Sequence, residues 1–228
     1  MADKSAEIRR YLVGIDTGSM QQTFTDCLVI GGGIAGLRAA LEAAKGCSVT
    51  LVYKGGADDS NTWNAQGGIA SVLDKADKLE WHISDTLETG AGLCDESVVG
   101  KVVSEGPGLV RELMDLGTEF DKVDGKLDIS LEGGHSHKRV LHANGDSTGR
   151  AISQVLMARA RENKNINIIE NFFTIDLITT DENGCTGAVG HNARTGLQII
   201  WSSKTILATG GAGRLYRETT NPKGATAD

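Results

Sequence analysis

Glycines at four closely spaced positions are the clearest sign of chemistry in this sequence. Residues 31–36 read G-G-G-I-A-G, which fits the pattern G-x-G-x-x-G between an apolar run and a helical pattern. Gly31 permits a tight turn, Gly33 lets a diphosphate approach the backbone, and Gly36 lets helix and strand pack closely. The N-terminus of the helix adds N–H donors and positive potential. The sequence therefore predicts a dinucleotide-binding site.

The acidic residue that usually binds the ribose of NAD is not in its expected place. It should lie about 20 positions after the glycines, but the second apolar run ends in Tyr53 and Lys54. Asp58 and Asp59 follow a few residues later. This departure disfavours an ordinary NAD site.

Two further segments carry polar or glycine-rich patterns. Residues 60–68 read S-N-T-W-N-A-Q-G-G, and their hydroxyls, amides and bare backbone could bind the edge of a heteroaromatic ring. An ordinary polar loop explains the same composition equally well. Residues 205–213 are an apolar strand running into a glycine turn, which by itself could be the end of any strand.

Charged and imidazole side chains cluster between residues 132 and 150. His135, His137 and His142 are spaced by two and by five residues, which suits no common helical pair of metal ligands, so we expect no metal site. Arg139 and Arg150 could attract a dicarboxylate, although surface arginines are common in acidic proteins.

The elements that must position these residues follow from hydrophobic periodicity. Strand, helix and strand within about 30 residues make one βαβ unit, and a strand-rich part follows later. We therefore predict an α/β fold with a parallel sheet and an added antiparallel part, in which residues 1–24 are a polar extension and 25–228 one domain. The predicted strands are 26–30, 48–53, 166–169, 172–178, 187–191, 198–201 and 205–207. The predicted helices are 34–46, 81–89, 96–116 with a break near Pro107, and 150–162.

Composition excludes several classes of protein. A net charge of −7 over 228 residues argues against a nucleic-acid partner. With 39% hydrophobic and 23% charged residues the chain is not disordered throughout. Its four cysteines include no C-x-x-C pair, which favours reduced thiols, and no apolar run could span a bilayer. We expect a cytoplasmic protein with no membrane partner.

Seven motifs together resemble one family of flavoproteins, that of succinate dehydrogenase and fumarate reductase, and within it the L-aspartate oxidases. They run in order from about residue 25 to residue 228, so the resemblance covers nearly the whole chain. The motifs are D-C-L-V-I-G-G-G-I-A-G-L, S-N-T-W-N-A-Q-G-G-I-A, D-T-L-E-T-G-A-G-L-C-D-E, E-G-G-H-S-H-K-R-V-L-H-A, D-S-T-G-R, L-A-T-G-G-A-G and T-T-N-P.

The resemblance implies a Rossmann-like FAD-binding domain and FAD rather than NAD, and it explains Lys54, since this family commonly ends its second strand with lysine. Relatives with covalent FAD have histidine where this chain has Asn61, so we expect noncovalent FAD. The residues expected to bind FAD are Gly31, Gly32, Gly33, Ile34, Ala35, Gly36, Lys54, Asn61, Thr62, Trp63, Asn64, Ala65, Gln66, Gly67, Gly68 and Asp228.

The resemblance also implies an activity. Glu132 matches the glutamate that orients substrate in aspartate oxidases, where a carboxylate can pair with the ammonium group that succinate lacks. The implied reaction oxidises L-aspartate to iminosuccinate, oxygen or fumarate reoxidises the flavin, and the product passes to quinolinate synthase in NAD biosynthesis.

Relative to the family the chain is expected to be a truncated FAD-binding portion. It ends within the family's T-T-N-P-x-x-x-x-G-D-G stretch, where Ala227 replaces a glycine. The capping domain and the essential arginine would lie beyond it, so we expect little or no turnover from this portion alone.

Two alternatives remain open at this point. The chain could belong to a fumarate reductase or succinate dehydrogenase flavoprotein, or it could be a noncatalytic dinucleotide-binding remnant.

Overall fold

The computed structural model describes residues 10–182 and 184–226, which divide into two compact units. The first unit comprises Met1–Asn61 and Met157–Asp228, and the second comprises Thr62–Leu156. The helices are α1 (Ile34–Ala43), α2 (Leu79–Thr89), α3 (Glu96–Leu116) and α4 (Thr148–Glu162). The strands are β1 (Gln21–Ile30), β2 (Val49–Val52), β3 (Ile69–Ala70), β4 (Lys122–Val123), β5 (Lys126–Leu127), β6 (Ile129–Ser130), β7 (Val140–Leu141), β8 (Ile166–Ile169), β9 (Phe172–Thr180), β10 (Gly184–Asn192) and β11 (Gly196–Leu207).

The first unit is built on a six-stranded sheet in the order β8-β2-β1-β11-β10-β9. The first four strands are parallel, and β10 and β9 continue the sheet in antiparallel fashion. The predicted α/β class with an added antiparallel part is therefore confirmed. Ile30 pairs with both Val52 and Leu207, so β1, β2 and β11 end at the same edge.

The core of the first unit lies where these strands are buried. Residues 27–30 and 49–52 are buried without alternation, as expected for parallel strands covered on both faces. α1 buries Leu37 and Ala40. One cluster of this core comprises Leu28, Ile30, Val52, Phe172, Ala188 and Ile200.

The second unit combines helices with short strands. β7 is the central strand of a three-stranded sheet between β3 and β6, and β4 and β5 form a hairpin. Its core comprises Val110, Phe120, Leu141 and Ala143. The single domain predicted for residues 25–228 is thus divided into two units.

The polar extension is shorter than predicted, because β1 begins at Gln21. Before it, the hydroxyl of Tyr11 donates to the carbonyl of Thr179 at 3.0 Å, and Val13 and Ile15 pack on the cluster around Val189. Most of the described part of the extension is therefore held against the antiparallel strands. Residues 1–9 lie outside the described residues.

The break predicted in the helix near Pro107 and the gap predicted between the strands at 198–201 and 205–207 are both absent. In each case tertiary contacts override local sequence. Pro107 cannot donate a backbone hydrogen bond, yet α3 is continuous, since Val103 and Val110 bury one helix face on both sides of it. The two strands predicted at 198–201 and 205–207 are one strand, β11, because its polar middle pairs with β1. No helix among the described residues has the length and apolar character needed to cross a membrane.

Candidate functional site

The turn after β1, residues 31–33, lies between the ends of two neighbouring strands. We call it the glycine turn. The N–H of Gly31 donates to the carbonyl of Val52 at 2.8 Å, and the N–H of Ala208 donates to the carbonyl of Ile30 at 2.8 Å. Gly31 has a φ of 123°, and a Cβ there would lie 2.0 Å from the carbonyl oxygen of Ala208. Only glycine fits this position.

The start of α1 is packed directly against the glycine turn. A Cβ on Gly36 would lie 1.8 Å from the carbonyl oxygen of Gly31, and one on Gly32 would lie 2.7 Å from the ring of Tyr53. Gly33 at the N-cap has no side chain, and the first turn of α1 carries no acidic residue. A helix N-terminus with glycine backbone and no nearby negative charge fits the diphosphate of a dinucleotide.

Tyr53 supports the glycine turn from the end of β2. Its hydroxyl donates to a carboxylate oxygen of Glu170 at 2.8 Å, and Arg161 donates to the same oxygen at 2.9 Å. Burial, and then the charge and hydrogen bond of Glu170, raise the pKa of Tyr53 well above its usual value. The phenol therefore stays protonated, and its ring is fixed beneath Gly32.

Lys54 connects the end of β2 with the segment near residue 226. Its Nζ donates to the hydroxyl of Thr226 at 2.8 Å. Asp59 lies beside this segment, since a Cβ on Gly224 would be 3.3 Å from its carboxylate oxygens. Asp228 and Ala227 lie outside the described residues, so the predicted contact of Asp228 with FAD stays a prediction.

The polar loop predicted to contact the cofactor begins at the boundary between the units. Asn61 ends the first stretch of the first unit, and residues 62–68 belong to the second. Within the second unit, the N–H of Gly149 donates to the carbonyl of Ala65 at 3.1 Å, and a Cβ on Gly149 would lie 1.9 Å from the carbonyl oxygen of Thr62. The loop is therefore ordered against the start of α4, while residues 64–67 remain exposed.

Arg150 also contacts this loop. Its guanidinium lies 5.5 Å from the centroid of the Trp63 ring, within the range of a cation–π interaction. This contact gives Arg150 a role in ordering the loop, which its sequence context did not indicate.

Glu132 presents a half-exposed carboxylate in the second unit. Its Oε1 accepts hydrogen bonds from Ser130 Oγ at 3.1 Å and from His142 Nε2 at 3.1 Å. The hydrogen bond from His142, followed by that from Ser130, lowers the pKa of Glu132 below its usual value. Glu132 is therefore an anion near neutral pH and can attract a cationic group.

Arg139 is fully buried and neutralised by two carboxylates. Its Nε and Nη2 donate to the two oxygens of Asp77 at 2.8 Å each, and Nη1 donates to Asp85. A guanidinium paired in this way is not available to a dicarboxylate, so the suggested substrate role of Arg139 is wrong. Sequence spacing gave no sign of Asp77 and Asp85 as its partners, because they are 62 and 54 residues away.

Asp85 anchors the loop that contains Glu132 to α2. The N–H and the hydroxyl of Ser136 both donate to Asp85 at 2.8 Å. Burial raises the pKa of this carboxyl, but the hydrogen bonds from Ser136 and Arg139 outweigh burial and lower it to about 2. His137 stacks on Trp81 of α2 with the ring centroids 4.1 Å apart.

The histidines of this region have separate partners. His135 contacts Arg139, His137 contacts Trp81, and His142 contacts Glu132. In the two described stretches, no three His, Cys, Asp or Glu side chains converge as a metal site would require. Of the predicted site residues, the glycines and Lys54 lie together in the first unit, and residues 62–68 and Glu132 lie in the second.

Comparison with known proteins identifies a family. The family described as FAD binding domain matches residues 26–228. The chain is 45% identical over 210 residues to an L-aspartate oxidase of Oryza sativa described as chloroplastic, covering 90% of this chain and 32% of the relative. It is 40% identical over 209 residues to an L-aspartate oxidase of Streptomyces coelicolor, covering 89% and 36%.

The fold is similar to that of a solved flavoenzyme. An Escherichia coli quinol fumarate reductase superposes with a TM-score of 0.85 at 31% identity, covering 90% of this chain and 36% of that chain. The chain thus spans about a third of the length of the L-aspartate oxidases it matches.

Proposed function

The chain belongs to the FAD-binding domain family, and on that premise we propose that its protein is a FAD-dependent oxidase that converts L-aspartate to iminosuccinate. Relatives named L-aspartate oxidase, at 40% and 45% identity over about nine-tenths of the chain, support this reaction. The structural observation that carries it is the half-exposed, anionic Glu132.

The substrate class follows from the charge of Glu132. L-Aspartate differs from succinate by one ammonium group, and a carboxylate that is already ionised can form a charge-assisted hydrogen bond with it. The same carboxylate gains nothing from succinate and repels the dianion. Glu132 therefore favours an amino dicarboxylate over a plain one.

The cofactor is FAD, and the residues of this chain fit it. The glycine turn and the N-terminus of α1 would hold the diphosphate, and Lys54 and residues 61–68 would contact the remainder. Asn61 provides no imidazole, so the flavin would be held noncovalently. FAD, when bound, supplies the two-electron oxidant for the Cα–N bond of the substrate. Oxygen or fumarate as electron acceptor, and quinolinate synthase as the next enzyme, belong to the same proposal.

The competing assignment is a fumarate reductase or succinate dehydrogenase flavoprotein, which the TM-score of 0.85 to a fumarate reductase favours. Purified full-length protein assayed with L-aspartate and with succinate distinguishes the two. We expect oxidation of L-aspartate; activity with succinate alone would eliminate the proposed function.

Glu132→Gln tests the residue that carries the proposal. Removing the anion should lower kcat/KM for L-aspartate by about tenfold or more, while fumarate reduction falls less. Glu119→Gln, at an exposed position of the same unit, is the matched control and should leave both activities unchanged. Equal losses with both substrates in Glu132→Gln would remove its role in binding ammonium.

The remaining alternative is a noncatalytic remnant. The absorbance spectrum of the purified protein, with and without added FAD, decides this. A protein that shows no flavin band and gains none at high FAD concentration would be such a remnant.

A further inference from the structure

We propose that His142 is a positioning residue that fixes the carboxylate of Glu132 for the substrate ammonium group, and so contributes to the preference for L-aspartate over succinate. This inference rests on the proposed function. It assigns a role to a histidine that the family resemblance left without one.

Glu132 accepts from two donors, and of these His142 is the one that has no second acceptor. Since a carboxylate only accepts hydrogen bonds, the contact of 3.1 Å requires a proton on Nε2 of His142. Ser130 has a single hydroxyl proton and two acceptors, Glu132 at 3.1 Å and the carbonyl of Val140 at 3.3 Å. The hydrogen bond from Ser130 is therefore divided, whereas the imidazole of His142 hydrogen-bonds to Glu132 alone among the described residues.

Both donors contact the same oxygen of Glu132. Oε1 accepts from Ser130 and His142, while Oε2 has no hydrogen bond to any residue in the described part of the chain. The side chain of Glu132 is 50% exposed and that of His142 is 25% exposed. Fixing Oε1 in this way restricts the rotation of the carboxylate, so the side chain loses less entropy when Oε2 binds an ammonium group.

The surroundings of His142 hold its ring in place. The residue follows β7, the central strand of its sheet, and its carbonyl accepts from the N–H of Asp121 at 2.8 Å. A Cβ on Gly68 would lie 3.1 Å from Cε1 of His142, so the backbone of the polar loop lies against the imidazole. The ring therefore has a fixed neighbour on the side of Gly68 and a fixed main chain beneath it.

The test compares three variants of the full-length, flavin-loaded protein. His142→Ala removes the donor, His142→Gln keeps an amide N–H that can reach Glu132, and His191→Ala replaces an exposed histidine of the first unit as control. KM and kcat are measured for L-aspartate, and the dissociation constant of succinate is measured from its perturbation of the flavin spectrum.

We expect His142→Ala to raise KM for L-aspartate about tenfold, with a smaller change in kcat and an unchanged dissociation constant for succinate. His142→Gln should restore most of the loss, and His191→Ala should match the wild type. The positioning role would be overturned if His142→Ala weakened the binding of L-aspartate and of succinate equally. It would also be overturned if KM for L-aspartate were as high in His142→Gln as in His142→Ala. If His142→Ala does not fold, His142→Phe, which keeps an aromatic ring but has no donor, takes its place, and the same two outcomes against His142→Gln decide.

Failure of the proposed function gives a different result. A wild-type protein that binds succinate but does not oxidise L-aspartate would remove the proposed function, and this inference with it. Wild-type oxidation of L-aspartate together with unaltered kinetics in His142→Ala would overturn the role of His142 alone.

Discussion

Three glycines around the turn after β1 are each required by a different neighbour. Gly31 meets the carbonyl of Ala208, Gly32 the ring of Tyr53, and Gly36 the carbonyl of Gly31. The G-x-G-x-x-G pattern predicted the tight turn at Gly31 and the close packing at Gly36, because those requirements are local. It could not identify Tyr53 or Ala208, since they are brought to the turn by the pairing of β1 with β2 and β11.

For the charged residues too, local motifs were predictable from the sequence and long-range partners were not. Glu132 was identified from its motif, but Ser130 and His142 were not recognised as its donors. For Arg139 the sequence left two alternatives, attraction of a dicarboxylate or an ordinary surface position, and neither anticipated its burial. Its burial depends on Asp77 and Asp85, whose proximity is a consequence of the fold of the second unit.

Gly36→Ala is the sharpest test at the residue scale. In an open helix alanine is favoured over glycine by about 1 kcal/mol, but here its Cβ would lie 1.8 Å from the carbonyl oxygen of Gly31. We therefore expect loss of FAD and a lower melting temperature, measured by flavin absorbance and thermal unfolding. Gly46→Ala, where the added Cβ meets nothing within 4 Å, is the control and should retain FAD. A yellow, wild-type-like Gly36→Ala protein would contradict the close approach of α1 to the turn.

At the scale of elements, α2 and the loop after β6 are joined by hydrogen bonds and an aromatic stack. On α2, Asp85 accepts from Ser136 of the loop and Trp81 stacks on His137. Thr89 lies beside Gly134. The periodicity of residues 81–89 predicted the helix. It could not predict the contact between this helix and the loop after β6, because hydrophobic periodicity carries no information about polar pairing between elements.

The contact between α2 and this loop should weaken in acid. Asp85 has a pKa of about 2 in the folded protein, below the usual value of about 3.9 for an unfolded chain. A lowered pKa stabilises the fold above the unfolded value, and this stabilisation is lost as the pH falls from about 4 toward 2. The free energy of unfolding of Asp85→Asn should therefore fall less steeply over this range than that of the wild type, as measured by urea denaturation. Asp115→Asn, at an exposed site on α3, should follow the wild-type curve. If the curve of Asp85→Asn also ran parallel to that of the wild type, the stabilisation would not come from the lowered pKa of Asp85.

Tyr53 joins three elements of the first unit, since β2 precedes it, α4 carries Arg161 and β8 precedes Glu170. Tyr53→Phe should lower the free energy of unfolding by about 1.5 kcal/mol, because a partly buried hydrogen bond to a charged group is lost. Its raised pKa adds a second signature: wild-type stability is intact below about pH 10 and declines as the pH rises further, because the unfolded chain ionises first. Tyr53→Phe should show less of this decline, measured by urea denaturation from pH 7 to 11. Tyr216→Phe, at an exposed position, is the control, and identical behaviour of the two variants would contradict the contribution of the hydrogen bond between Tyr53 and Glu170.

At the scale of the whole molecule, the local βαβ unit was predictable and the order of the sheet was not. β1, α1 and β2 follow one another closely, and their pattern alone indicates parallel strands with a crossover helix. β11 pairs with β1 across more than 170 positions of the chain, in a register from Gln21 and Gln198 to Ile30 and Leu207. Its polar middle, which local propensity predicts as a break, is held by β1, where Thr25 and Cys27 pair with Ser202 and Lys204. The edge at which β1, β2 and β11 end together is therefore a product of long-range pairing.

FAD should stabilise the molecule as a whole, because this edge forms only in the folded state. A ligand that binds only the native protein at 100 times its dissociation constant adds about 2.7 kcal/mol, which corresponds to a rise of roughly 5–10 °C in melting temperature for a chain of this size. We expect such a rise with FAD and a smaller one with riboflavin, which lacks the diphosphate.

Gly31→Ala should abolish the FAD effect, since its Cβ would meet the carbonyl of Ala208, while Gly46→Ala should preserve it. Equal stabilisation by riboflavin and FAD would mean that the flavin ring is bound without help from the glycine turn. An FAD-induced rise that survives Gly31→Ala would place the diphosphate elsewhere.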